Sequence, residues 1–183
     1  MPLDASRNSL VVPLLGLLLE QPTHAYALTA SLTSRYPQLR ATRSTVTTLL
    51  KSMERAGTIA PRTPESVGNR PPRTGYELTA AGVAEFSRRI EDGLRDAQPA
   101  STELIVAVAY LGIRPAADVA ELLDARADRL GNGRFEVPAG IPEVQMLEVD
   151  YWNAVVDAEI TWLRTLAGRI RTRDIAWLER TAP

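Results

Sequence analysis

The segment from Arg43 to Gly82 constrains the fold of this 183-residue chain more than any other: it reads RSTVTTLLKSMERAGTIAPRTPESVGNRPPRTGYELTAAG. Its first part predicts an amphipathic helix that ends at Gly57, where a glycine that follows a helix belongs. The apolar positions at helical spacing are Val46, Leu49, Leu50 and Met53. Two strand-like pieces, 58–62 and 74–78, then flank a loop rich in proline and arginine, which predicts a hairpin. A helix followed by a cationic hairpin is typical of proteins that bind duplex DNA.

Two further helices are predicted before this segment. Leucines recur at helical spacing over residues 10–18, and a Gln-Pro pair ends that helix near residue 20. Thr23 is a suitable N-cap for a second helix over 24–34. We expect its buried side to consist of Tyr26, Leu28 and Leu32. Three short helices followed by a two-stranded hairpin predict a winged helix-turn-helix DNA-binding domain over residues 1–80.

The remainder, residues 81–183, predicts a helical region. Its four helices are expected over about 80–97, 103–111, 115–131 and 143–172. Along the last one, four apolar residues repeat every seven positions: Val149, Val156, Leu163 and Ile170. A stripe of this length favours packing against a second copy of the chain, and burial within the chain is the alternative. The expected fold class is therefore mainly α, with an N-terminal winged helix-turn-helix and a C-terminal helical dimerisation region.

Charge is distributed unevenly along the chain, although the net charge is only −1. The first 80 residues carry nine basic and five acidic groups, whereas the remainder carries twelve basic and seventeen acidic groups. Between Arg35 and Arg73 there are eight basic and two acidic groups. Such asymmetry favours a basic N-terminal region that binds a polyanion. A solvated surface on which basic residues cluster by chance is the alternative.

The composition argues against catalysis, cofactors and metals. The absence of cysteine excludes disulfides, thiolate metal sites and thiol nucleophiles, and it weakly fits a reducing compartment. His24 is the single histidine, and its place at a predicted helix start favours capping or packing. No glycine-rich phosphate motif occurs. We therefore expect neither an enzyme nor a bound cofactor.

The chain shows no pattern of a secretory signal peptide. Its longest apolar run, from Leu10 to Leu19, is too short to span a bilayer. These two observations predict a cytoplasmic protein without a membrane partner.

Three stretches resemble the PadR family of bacterial transcriptional regulators. LLGLLLEQPTHAYAL, which begins at Leu14, is similar to the family's L-L-G-L-L…P-x-H-G-Y-E-L segment, and LLKSMERAGTI, from Leu49, resembles L-L-R-R-L-E-E-x-G-L-I. RTGYELTAAG, which ends at Gly82, is similar to the family's R-x-Y-x-L-T-x-x-G wing. The chain departs from the family's G-T-L-Y-P, because Thr47 stands in place of the aromatic residue. The resemblance therefore implies DNA binding but no particular base preference.

The resemblance also implies a role and a set of contacts. It implies a repressor that binds an inverted-repeat operator in double-stranded DNA as a homodimer. Recognition helices contact base edges with their N-terminal residues, which assigns that role to Arg43, Ser44, Thr45, Thr47 and Thr48. Phosphate contacts are assigned to Lys51, Arg62, Arg70 and Arg73. The alternative function is a winged-helix module that binds another protein and does not bind DNA.

Two tryptophans raise the question of a small-molecule effector. Some PadR-type proteins hold flat effectors between aromatic residues at the dimer interface, so the resemblance implies a small aromatic effector here. Trp152 and Trp162 lie about 80° apart around the last predicted helix, where they would flank a shared pocket. Ordinary packing in a core or an interface is the alternative for both.

Overall fold

The computed structural model describes residues 8–63, 74–136 and 140–177, and the chain divides into two compact units, Met1–Ile90 and Glu91–Pro183. The elements that begin in the first unit are α1 Val11–Glu20, β1 Thr23–His24, α2 Ala25–Arg35, α3 Arg43–Arg55, β2 Ile59–Pro61, β3 Gly75–Leu78 and α4 Ala80–Asp96. The others are α5 Thr102–Ala109, α6 Ala116–Asn132 and α7 Leu147–Arg171. Three helices followed by a small sheet confirm the mainly α, winged helix class. The domain boundary after residue 80 stays a prediction.

The core of the first unit is formed by leucine-rich faces of its helices. These side chains are at most 1% exposed: Leu14, Leu15, Leu28, Leu32, Val46, Leu49, Leu50, Phe86 and Ile90. Full burial of such a side chain contributes about 1.5–3 kcal/mol each. The predicted inner face of α3 is therefore confirmed.

The wing is a three-stranded antiparallel sheet in the order β1-β3-β2. Ile59 pairs with Leu78 on one side of β3, and Thr23 pairs with Tyr76 on the other. The hairpin of β2 and β3 was expected, whereas β1 was not, because a two-residue strand is too short to show a period. Thr23 therefore belongs to the sheet and is not the N-cap of α2.

The N-cap of α2 is His24 instead. Its Nδ1 atom accepts a hydrogen bond from the backbone N–H of Ala27 at 3.1 Å, which satisfies one of the free donors at the helix start. The buried side of α2 is formed by Leu28 and Leu32, both fully buried. Tyr26, expected on the same side, is 61% exposed. The expectation for Tyr26 was wrong, because a spacing of two residues places it about 200° around the helix from the buried Leu28.

A close backbone approach connects the turn after α3 to the start of α4. Gly57 has φ +73°, a conformation that favours glycine. The Thr79 hydroxyl donates to the carbonyl of Gly57 at 2.7 Å and accepts from the N–H of Gly82 at 3.0 Å. A Cβ atom at Gly82 would lie 1.9 Å from the carbonyl oxygen of Thr58. The Thr-x-x-Gly sequence at this point therefore closes the first unit, and only glycine fits its last position.

In the second unit, α6 and α7 pack against each other. The apolar side chains buried on α6 are Val119, Ala120, Leu123 and Ala127, and those on α7 are Val156, Leu163, Ala167 and Ile170. Val149, the first member of the seven-residue stripe, is half-buried. This corrects the assignment of the stripe to a dimer interface, because three of its four side chains are already buried in a single chain.

A buried ion pair ties α6 and α7 to the end of α4. Arg126 is 2% exposed, and its Nε donates to Oε1 of Glu159 at 2.8 Å. Its other nitrogens donate to the carbonyls of Leu94 at 3.1 Å and Ala97 at 2.8 Å. The second carboxylate oxygen of Glu159 accepts from the N–H of Ala100 at 3.0 Å. Arg126 thereby satisfies carbonyls at the C-terminal end of a helix, which have no partner within the helix itself.

Candidate nucleic-acid interface

Helix α3 presents its first two turns on the side away from the core. Thr42 is its N-cap, and the Oγ1 atom accepts from the N–H of Thr45 at 3.2 Å. The cap fixes where the helix begins and thus which side chains point outward. The five residues assigned to base contacts are exposed (Arg43, Ser44, Thr48) or half-buried (Thr45, Thr47). They form one continuous outer face at the start of the helix.

The hydroxyl groups of this face are engaged with the helix itself. The Thr47 hydroxyl donates to the carbonyl of Arg43 at 2.8 Å, and the Thr48 hydroxyl donates to that of Ser44 at 2.9 Å. The Oγ1 atom of Thr42 lies 2.8 Å from that of Thr45 and 3.0 Å from Oγ of Ser44. These bonds hold the side chains of the outer face in defined orientations.

Four basic residues on and beside α3 have no acidic partner in the part of the chain that the structure describes. Among the described residues, no carboxylate lies within ion-pair distance of the exposed Arg40, Arg43, Lys51 or Arg55. The Nε atom of Arg55 instead donates to the carbonyl of Lys51 at 3.2 Å, which places its guanidinium beside that residue. Because these charges are not neutralised, the outer side of α3 carries a positive potential available to an anion.

The wing contributes one described cation. Arg62 follows β2, and its Nε lies 3.6 Å from Oε2 of Glu77 on the neighbouring strand, with both side chains about half exposed. An exposed pair at this distance contributes little, so Arg62 can exchange its partner for a phosphate at small cost. Arg70 and Arg73, the other residues assigned to phosphates, lie outside the described residues.

An open groove beside α3 was not anticipated. It has a volume of about 460 Å³ and is lined by Tyr26, Thr29, Ala30, Thr33, Ser34 and Arg43. The Thr29 hydroxyl donates to the carbonyl of Ala25, so the groove presents mainly methyl groups and one aromatic ring. The sequence signal for it was the row of small residues on α2, which was overlooked because Tyr26 was expected in the core.

His24 serves the fold rather than a reaction. Besides capping α2, its ring lies 6.3 Å from the ring of Tyr26, centre to centre. Within the described parts of the chain, no three His, Asp or Glu side chains are grouped so that they could hold a metal ion. In the same residues, no helix has the length and apolar character needed to cross a membrane.

The two tryptophans proposed for an effector are not brought together within one chain. Trp152 lines an open cavity of about 390 Å³ in the second unit, together with Phe135, Leu130, Val156 and Arg129. Trp162 does not line this cavity and is 44% exposed. Phe135 was missed in the sequence because it lies in a loop, where no period marks it.

Solved structures resemble the chain only remotely. PadR of Bacillus subtilis in complex with operator DNA is 20% identical, with 89% of this chain and 99% of that chain covered and a TM-score of 0.44. The same protein in complex with p-coumaric acid is 19% identical, with 90% and 99% covered and a TM-score of 0.39. A PadR-like transcriptional regulator from Bacillus cereus is 15% identical, with 87% and 94% covered and a TM-score of 0.37.

No curated protein sequence matches the chain. Residues 14–88, by contrast, match the model for the transcriptional regulator PadR-like family. The match contains most of α1, all of α2, α3 and the sheet, and the start of α4. Members of this family are transcriptional regulators and not enzymes. Over residues 14–88, the chain is therefore similar to the transcriptional regulator PadR-like family.

Proposed function

We propose that this chain is a repressor that binds an inverted-repeat operator in double-stranded DNA as a homodimer. The single observation that carries the proposal is the outer face of α3, where hydroxyl groups and unpaired cations are exposed on a helix whose other side is fully buried. That helix lies within the segment that matches a family of transcriptional regulators.

The dimensions and chemistry of α3 suit the major groove. Its 13 residues span about 20 Å, and an α-helix fits the width of the B-DNA major groove. In this proposal the residues at its start, Arg43, Ser44, Thr45, Thr47 and Thr48, contact base edges. Lys51 lies farther along the same outer side and contacts a phosphate.

The wing holds the duplex backbone. Arg62 extends from the hairpin and exchanges Glu77 for a phosphate, and Arg70 and Arg73 are proposed to make similar contacts. Such contacts orient a protein on DNA without selecting its sequence. Selection therefore rests on α3, and most of the salt-dependent affinity rests on the four unpaired cations and the wing.

A second copy of the chain is proposed to pack on the outer face of α7. Leu147, Tyr151 and Trp162 are 53%, 70% and 44% exposed, which is unusual for such large apolar side chains. Spacings of four and eleven residues place them within about 60° of each other around the helix. The proposed interface thus uses a different side of α7 from the stripe that packs on α6.

The dimer proposal is tested by charging each side of α7 separately. Tyr151→Asp should yield a folded monomer, whereas Leu163→Asp should unfold the second unit, because it places a carboxylate in a site with 0% exposure. Arg164→Gln, an exposed change on α7, is the control. Light scattering and circular dichroism measure both effects. A wild-type monomer at micromolar concentration contradicts the dimer.

The cavity beside Trp152 is proposed to accept a small aromatic effector. Its lining includes the aromatic residues Phe135 and Trp152 beside Arg129, which suits a flat anion that displaces the exposed Asp96 from Arg129, 3.5 Å away. With p-coumaric acid as the probe, tryptophan fluorescence should be quenched in the wild type and much less in Trp152→Leu. Equal quenching in both proteins contradicts a site at Trp152.

Selection of duplexes from a random pool tests the DNA-binding function itself. The expected product is an inverted repeat whose half-site centres lie about 10 base pairs, or a multiple of that, apart. A reporter with this site across its promoter should lose expression when the protein is present. A pool that yields no motif, together with a salt-insensitive response to DNA, favours a module that binds protein instead.

A further inference from the structure

Two threonines on the outer face of α3 have no hydroxyl proton left to offer a base. The Oγ1 atoms of Thr47 and Thr48 lie 2.8 and 2.9 Å from the carbonyl oxygens of Arg43 and Ser44. A carbonyl can only accept, so each hydroxyl must donate. Since a threonine has one such proton, neither side chain can donate to a base without first breaking its bond to the helix.

The same bonds decide which part of each side chain is presented. The hydroxyl and the methyl group are attached to one tetrahedral carbon, so turning the hydroxyl toward the helix backbone turns the methyl away from it. Thr48 is exposed and Thr47 half-buried, so part of each residue can be reached from solvent. This part of the proposed interface therefore offers methyl groups and no hydroxyl donor, although its residues are formally polar.

Arg43 supplies the complementary chemistry on the same turn. Its side chain is exposed and has no acidic partner within the described residues, so its donors are free. Guanidinium groups pair with the O6 and N7 acceptors of guanine, and apolar groups contact the 5-methyl group of thymine. The donors of Arg43 thus lie one turn before the methyl groups of Thr47 and Thr48 on α3.

We infer that Thr47 and Thr48 recognise thymine through its 5-methyl group, with their own methyl groups and not with their hydroxyls. This inference rests on the proposed function, because it assigns base chemistry to a helix proposed to enter the major groove. It predicts a thymine-containing half-site in which the methyl contact is worth about fourfold in affinity, the value of burying one such carbon.

Two matched substitutions at Thr48 separate the methyl from the hydroxyl. Thr48→Val keeps the branched shape and removes the oxygen, so affinity for the selected site should stay within about twofold. Thr48→Ser keeps the oxygen and removes the methyl, so affinity should fall about fourfold. Thermal unfolding of each variant shows that the fold is retained, and the same pair at Thr47 repeats the test.

The DNA offers the reciprocal change. Each thymine of the selected site is replaced in turn by deoxyuridine, which lacks only the 5-methyl group. At the contacted thymine the wild type should lose about fourfold and Thr48→Ser should lose nothing further. If Thr48→Val loses as much as Thr48→Ser, or if no deoxyuridine changes the affinity, the inference is overturned while DNA binding stands. If the random pool yields no site, the proposed function fails and the inference fails with it.

Discussion

The two compact units use their basic residues in different ways. In Glu91–Pro183, eight described arginines lie within ion-pair distance of a carboxylate: Arg95, Arg114, Arg126, Arg129, Arg134, Arg164, Arg169 and Arg171. In the described residues of Met1–Ile90, by contrast, Arg40, Arg43, Lys51 and Arg55 have no such partner. Most of these pairs are exposed and contribute little to stability, whereas the pair of Arg126 and Glu159 is buried. Within the described residues of the first unit, the four cations without a carboxylate partner are available to a ligand.

The units also differ in how distant segments are joined. The first unit is closed by the approach of α4 to the turn after α3, at Thr79 and Gly82, which involves no charge. The second unit is closed by the buried pair of Arg126 and Glu159. A change of charge should therefore destabilise the second unit, and a change of volume should destabilise the first.

Removal of one partner of the buried pair should have the largest effect. Glu159→Ala leaves Arg126 charged in a site that is 2% exposed, so the free energy of unfolding should fall by about 3–5 kcal/mol. Glu148→Ala, an exposed acid on the same helix, should change it by less than about 0.5 kcal/mol. Urea denaturation followed by circular dichroism measures both. A loss below about 1 kcal/mol in Glu159→Ala would show that the pair is not structural.

A methyl group added at Gly82, where α4 approaches the turn after α3, should have the next largest effect on stability. Gly82→Ala places a Cβ 1.9 Å from a backbone oxygen, so stability should fall by about 1–3 kcal/mol as the segments separate. Gly168→Ala, a helical glycine with no atom within 4 Å of its Cβ position, should be neutral or stabilising by up to about 1 kcal/mol. Thermal melting compares the two. Equal melting temperatures for both variants argue against this closure.

A small effect is expected from an acid paired on the surface of the first unit. The pKa of Glu85 is lowered, mainly by its hydrogen bonds from Arg88 and then from Arg89. A lowered folded-state pKa means that the ionised form stabilises the fold above the unfolded pKa of about 4.3, and that this stability is lost as the pH falls through the folded pKa. Glu85→Gln should lower the free energy of unfolding by about 0.3–0.5 kcal/mol at pH 7.

The pH dependence supplies the control for Glu85. The difference between wild type and Glu85→Gln should shrink as the pH is lowered below about 4, because the wild-type carboxyl is then protonated as well. Urea denaturation at pH 7 and at pH 3 measures this difference. If the difference in stability between the two proteins is the same at both pH values, the effect of the substitution arises from packing and not from charge.

Local features of the first unit could be predicted from the sequence. The period of Val46, Leu49, Leu50 and Met53 marked the buried side of α3, and Gly57 marked its C-terminal end. These signals are contained in neighbouring residues, so no tertiary information was needed. The hairpin after α3 followed from the same kind of signal.

Features that depend on distant partners could not be predicted. The stripe on α7 indicated an apolar contact, but its period does not say whether α6 or a second chain covers it. Arg126 resembles any helical surface arginine in sequence, and its burial depends on Glu159, 33 residues away. Thr23 is not the cap of α2, because it pairs with β3, which lies more than 50 residues farther along the chain. His24 caps the helix instead.

The salt dependence of DNA binding tests most directly the claim that the unpaired cations of α3 serve a polyanion. With about 6–10 phosphate contacts per dimer, affinity for the selected site should fall by about 10³–10⁵ between about 50 and 200 mM salt. Lys51→Gln should lower the slope of log affinity against log salt by about one per protomer, and Arg164→Gln, whose arginine is paired with Asp128, should leave it unchanged. A flat salt response, or equal slopes for Lys51→Gln and wild type, would contradict the account.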